Sequence, residues 1–169
     1  MRLPLLVSIQ TELHLIDKLG TCLLRDGYSA ANSFIVTVST DYSSIVGQIL
    51  RHKLTHDREI CEGFGVDVPY PDETWSDSYI NKLNSTLNLH KELFNKTPIL
   101  VEAAVIRGGN YSFLVDQIKK EVDFKGKIIT LTLYENIHSK FKSDYVGSFY
   151  NNDLEDVTFW WEKDNKHWS

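Results

Sequence analysis

The sequence predicts an α/β domain in which a mainly parallel, twisted sheet is covered by helices on both faces. Three observations carry that expectation. Phe34-Ile35-Val36-Thr37-Val38-Ser39 is a β-branched run, and Thr40-Asp41-Tyr42-Ser43-Ser44 leads from it into Ile45, Val46, Ile49, Leu50 and Leu54 at helical spacing. The run from Pro98 to Ile106 does the same: Gly108-Gly109 closes it, and Phe113, Leu114, Ile118 and Val122 follow on one helical face. Gly126 then precedes a third run, Lys127 to Tyr134. Strands that alternate with helices pair in parallel, and ligands of such sheets sit at the carboxyl ends of the strands.

The remaining elements follow in order. Thr11 to Arg25 places Leu13, Ile16, Leu19, Leu23 and Leu24 on one side of a helix that Asp26-Gly27 ends. Residues 55–74 hold Gly63, Gly65, Pro69 and Pro71 among short apolar pieces and read as loop or hairpin. A helix is expected from about Ser76 to Asn95, where Tyr79, Ile80, Leu83, Leu87 and Phe94 form a stripe fit for a core or for a homo-oligomer contact. A final strand is expected over Val157 to Trp161. No repeat or low-complexity segment divides the chain, so residues 1–169 are read as one domain.

Composition narrows the function classes. With 42% hydrophobic residues in 169, the chain can bury one sizeable core. The net charge is −5 and the cations are scattered among acids, which argues against tracking duplex nucleic acid and leaves free nucleotides as partners. Cys22 and Cys61 form no CxxC pair and no disulfide framework, which fits a reducing cytoplasm. Leu3 to Val7 is short and interrupted by Pro4, unlike a signal peptide or a membrane span. The 6 histidines show no HExxH and no pairing with cysteine at zinc spacing, and GxSxG, Walker and six-residue glycine motifs are absent.

Two candidate ligand loops remain, both turns entering helices at one end of the sheet. Arg107, Gly108, Gly109, Asn110 and Tyr111 begin a helix whose unpaired N–H groups and dipole suit a phosphate, with Glu102 on the strand before them. Ser39, Thr40, Asp41, Tyr42, Ser43 and Ser44 offer hydroxyls and backbone donors for a second phosphate. Glu102, Asp41 and Asp153 are the carboxylates that could together attract magnesium; the motifs require no other cofactor.

From residue 34 to 162 the order of motifs resembles the type I phosphoribosyltransferases, in particular the purine-salvage branch that handles hypoxanthine, guanine or xanthine. The run Leu100 to Asn110 is similar to the loop that cradles the ribose 5-phosphate in that family. Leu133-Tyr134, then Ser143-Asp144-Tyr145-Val146-Gly147, then Phe159-Trp160-Trp161-Glu162 resemble the closing motifs of the branch. The resemblance implies that Glu102 meets the ribose, that Tyr145 stacks on a base, that Val146 offers backbone groups to the base edge, and that residues 55–74 form hood strands. It also implies losses. Ala103 replaces the second ribose-binding acid, Ile106 replaces the acid near the reacting purine nitrogen, and Arg107 and Asn110 replace hydroxyl residues. Glu135 and Asn136 stand where the family has a lysine facing the purine oxo group.

Three readings fit this pattern. One is a non-catalytic protein that binds a nucleotide or an ADP-ribose-like metabolite and senses or sequesters it, as a small viral or mobile-element protein would. The second is an active purine-type transferase with an atypical site, and the third is a structural or interaction domain that kept only the fold.

Overall fold

The computed structural model describes residues 3–38, 40–56, 59–69, 74–105, 107–151 and 155–159. The strands are β1 (Leu3–Val7), β2 (Ser33–Val38), β3 (Gly63–Val66), β4 (Thr97–Val105), β5 (Ile129–Asn136), β6 (Tyr145–Tyr150) and β7 (Glu155–Phe159). The helices are α1 (Ile9–Arg25), α2 (Thr40–Leu54), α3 (Asp77–Leu89) and α4 (Gly109–Glu121), with a 3-10 turn over Lys91–Asn95. Five strands form one all-parallel sheet in the order β3-β2-β4-β5-β6.

Successive residues of a strand face opposite sides of its sheet, and here both sides are buried. Ile35, Ile99, Val101, Leu131 and Leu133 pack against Ile16 and Leu23 of α1 and Val46 and Leu50 of α2. Phe34, Val36 and Leu100 pack on the other face against Leu83 and Leu87 of α3 and Leu114 and Ile118 of α4. Hence the strand sequences read as apolar runs rather than as alternation. Ser8 caps α1 by accepting a hydrogen bond from the Thr11 amide at 3.2 Å. Gly27, at φ +90, lets the chain turn away after it.

Several expectations change. β3 forms the edge of the main sheet, paired with β2, so the middle of the 55–74 region is neither a hairpin nor a separate hood. β6 is a strand that the sequence does not announce. The last strand lies at Glu155–Phe159 and pairs in parallel with β1, outside the main sheet, while Trp160 and Trp161 fall outside the described residues. The expected helix over 76–95 breaks at His90 into α3 and the 3-10 turn. Its Leu83 and Leu87 are core residues, while Tyr79, Ile80 and Phe94 of the stripe are half-buried. No helix among the described residues is long and apolar enough to cross a membrane.

Candidate functional site

β2 and β4 are neighbours, yet the chain leaves them in opposite directions. From β2 it passes through α2 to β3 on one side, and from β4 it passes through α4 to β5 on the other. Two such strands cannot have their exits filled by the same connection, so a crevice opens between them at the carboxyl end of the sheet. Pairing of β2 with β4 runs to Thr37 opposite Val101. Beyond it the Ala103 amide donates to Ser43 Oγ at 3.1 Å, tying the start of α2 to β4. The N-termini of α2 and α4 therefore meet at one crevice from opposite faces of the sheet.

The turn into α4 is built around Gly108. Its φ of +79 is left-handed, and a Cβ there would lie 2.2 Å from Phe141 Cβ and 2.9 Å from Ser139 Oγ. Only glycine fits both demands. Gly109 is the opposite case: no atom lies within 4 Å of where its Cβ would be, so the first residue of the helix is exposed and uncrowded on that side. The Ser112 amide and hydroxyl both donate to the Gly108 carbonyl, which starts the helix ladder and leaves the amides of residues 109–111 without helical partners. Arg107 is exposed beside them.

The wall against Gly108 is a loop held by its own hydrogen bonds. Ser139 donates to the Asn136 carbonyl through its amide (2.9 Å) and to the Phe141 carbonyl through its hydroxyl (2.8 Å). The Ser143 amide donates to Glu135 Oε2 at 2.8 Å, and Lys142 Nζ lies 3.4 Å from Glu135 Oε1. Exposed Lys140 leaves Arg107 with a second cation in the adjoining loop. Sequence reading missed this wall, because nothing in residues 136–143 announces that they abut Gly108.

The sequence-predicted residues divide into groups. Arg107, Gly108 and Gly109 lie together at the start of α4. Asn110 bends away from them, donating through Nδ2 to the Pro69 carbonyl at 3.2 Å and anchoring the segment after β3. Tyr111 contributes only its amide, since its side chain is fully buried and its hydroxyl donates to the carbonyls of Leu131 and Leu100. Tyr42 is likewise a core residue, its hydroxyl donating to the buried Glu12 carboxylate. Ser43 spends its hydroxyl on Ala103, and Ser44 is exposed. Ser39, the side chains of Thr40 and Asp41, and Asp153 lie outside the described residues.

Glu102 sits on β4 opposite Thr132, partly buried, and burial pushes its carboxyl up to about 8. Glu135 is fully buried one strand away. Among the described residues no three His, Cys, Asp or Glu side chains come together as a metal site.

Tyr145 and Val146, expected beside a base, lie at the amino end of β6. β6 runs parallel to β5 with Tyr145 opposite Leu131, and the carboxyl end of that pair is Asn136 opposite Tyr150. Five residues at ~3.3 Å each place Tyr145 roughly 16 Å below the crevice end. There its hydroxyl donates to Asp26 Oδ2 at 2.7 Å. That bond, and then Arg25, hold the Asp26 carboxyl below its usual range.

No family model matches the sequence, and no curated protein matches it. Solved structures match along nearly the whole chain. A Helicobacter pylori xanthine-guanine-hypoxanthine phosphoribosyltransferase superposes with a TM-score of 0.63 at 19% identity, covering 96% of this chain and 95% of that one. A purine phosphoribosyltransferase from Pyrococcus horikoshii gives 0.66 at 16%, covering 95% of each. The fold is that of the type I phosphoribosyltransferases. A hypothetical protein from Neisseria gonorrhoeae with bound ppGpp gives 0.69 at 15% identity, covering 99% of this chain and 94% of that one. On this phosphoribosyltransferase-like scaffold the crevice between β2 and β4 is the candidate site.

Proposed function

We propose that this chain binds a nucleotide, or another ligand carrying a ribose phosphate such as an ADP-ribose-like metabolite, in the crevice between β2 and β4, and does not break its glycosidic bond. The observation that carries the reading is the open start of α4: a left-handed Gly108, an unobstructed Gly109 and an exposed Arg107 surround amides that lack helical partners. Such a helix start, with its partial positive charge, suits a phosphate. The neighbour with bound ppGpp supports a purine nucleotide as the ligand class. Binding without turnover would make the protein a sensor or a sink for a nucleotide-derived signal.

Support for the non-catalytic part comes from side chains. Ala103 and Ile106 carry no charge where the resembling family has acids. With its carboxyl pushed up to about 8, Glu102 is largely protonated at neutral pH and offers little charge to stabilise a cationic sugar. Thermal unfolding with purine nucleotides, phosphoribosyl pyrophosphate and ADP-ribose tests the reading, because a ligand at 100 times its Kd adds about 2.7 kcal/mol of stability. Arg107→Ala should weaken the best ligand by about 1.5–3 kcal/mol through the lost charge-assisted bonds. No stabilisation by any of these ligands overturns the binding claim. Consumption of phosphoribosyl pyrophosphate with a purine base and magnesium overturns the non-catalytic claim.

A further inference from the structure

A second cleft, of about 310 Å³, lies between α2 and the edge strands β2 and β3. It is shaped by missing side chains. Phe64 and Val66 of β3 pack on the α3 and α4 side of the sheet, so Gly63 and Gly65 belong to the face toward α2 and present bare backbone there. Gly63 is needed by the sheet itself, since a Cβ would meet the Ile35 carbonyl oxygen at 2.4 Å. Gly65 is under less pressure: the nearest atom to its Cβ position is Thr37 Oγ1 at 3.1 Å. A side chain at 65 would grow into the cleft.

Arg51 supplies the charge. Its Nε donates to the Cys61 carbonyl at 2.9 Å, which fixes a half-buried guanidinium against the cleft. Of the nearby carboxylates, Glu62 pairs with Lys96 at 3.1 Å, and Asp67, which lines the cleft, pairs with the exposed Lys82. The two terminal nitrogens of Arg51 have no hydrogen-bond partner among the described residues. A planar fork of donors held in a half-buried cleft, where the one lining carboxylate, Asp67, is paired with Lys82, is matched by a carboxylate or a phosphate monoester, which takes two parallel bonds from it. Gln48 and Ser44 continue the polar wall along α2.

We propose that this cleft binds a small planar organic acid, its acid group on the Arg51 fork and its ring flat on the Gly63–Gly65 backbone. The volume is at the lower end for ligand pockets, roughly 300–1,000 Å³, so it takes one ring and not a nucleotide. This ligand is separate from the one held at the start of α4.

The test is an NMR titration of the full chain with benzoate, phenyl phosphate, neutral benzamide and inorganic phosphate. Benzoate or phenyl phosphate should shift the amides of Gly63 and Gly65 and the Nε signal of Arg51 without moving Gly109, and the tighter of the two identifies the acid group. Arg51→Gln should lower that affinity at least tenfold. Gly65→Val, which fills the cleft and leaves the Arg51 bond to Cys61 intact, should abolish binding while the remaining spectrum keeps its folded dispersion. Millimolar acids that move none of these signals, benzamide binding as well as benzoate, inorganic phosphate reproducing the whole effect, or Arg51→Gln binding as tightly as the parent would each overturn the proposal.

Discussion

Replacing Gly108 and Gly109 in turn by alanine separates two glycines that are adjacent in sequence and opposite in role. At Gly108 an alanine must adopt φ near +79, which costs an L-residue about 1–2 kcal/mol. Its methyl must also displace Phe141 Cβ, 2.2 Å away, and Ser139 Oγ at 2.9 Å. That loop is braced by its own hydrogen bonds, so it yields as an overpacked core does, for about 1–3 kcal/mol more. The sum is about 2–5 kcal/mol, a large share of the ~5–15 kcal/mol that holds a domain of this size together. Gly109 is helical and unobstructed, so Gly109→Ala should stabilise by about 0.4–1 kcal/mol through the unfolded chain. Urea unfolding followed by circular dichroism reads both, with an unchanged m-value showing that two-state behaviour persists. A Gly108→Ala protein within about 0.5 kcal/mol of the parent, the usual scatter of neutral surface changes, would refute the reasoning.

Other substitutions probe the rest of the crevice. Ser43→Ala removes the acceptor of the buried Ala103 amide and should cost about 1–3 kcal/mol in the same unfolding assay. Glu102 has a folded pKa near 8 against an ordinary value of 4.5, so the native state holds the extra proton. Its contribution is therefore fully present below about pH 4.5 and lost as the pH rises through about 8, and Glu102→Gln should flatten the decline in stability over that window; parallel pH profiles for the two proteins would refute the burial of that carboxyl. Tyr145→Phe should leave ligand affinity at the crevice unchanged and let the Asp26 pKa rise toward its ordinary value, as read by NMR titration of the carboxyl carbon.

What the sequence discloses follows from which forces act locally. β2, β4 and β5 are legible because burial on both faces turns each into an apolar run, and Gly108-Gly109 marks where one of them ends. β6 is hidden because its first four residues are only partly covered and its fifth, Phe149, is exposed, with Gly147 and Ser148 in its middle, so that it shows neither a run nor an alternation. The position of Tyr145 at the amino end of β6 is hidden by the same omission. A motif gives order along the chain, whereas the end of the sheet on which a residue lies depends on whether its segment is a strand and in which direction it pairs. Tyr111 and Tyr42 illustrate a second limit: each has a polar tip suited to a ligand, but each hydroxyl is satisfied inside the core. Sequence shows the functional group, and only packing shows which way it points.

The attraction proposed for a phosphate at the crevice has two sources with different demands on sequence. Two helix N-termini converge there because β2 and β4 are adjacent while their connections diverge, and this needs only the strand order and a glycine at position 108. Charged side chains are added one residue at a time and can be lost the same way. Ala103 shows the separation directly: its methyl is buried in the core, yet its amide still fastens β4 to the start of α2 through Ser43. A chain can therefore keep the backbone half of a phosphate site while positions 103 and 106 carry no acid. Because at most two cations, Arg107 and Lys140, and a row of amides supply the attraction, binding at this crevice should depend on salt more weakly than binding through a cluster of lysines would, and a steep salt dependence would place the ligand elsewhere.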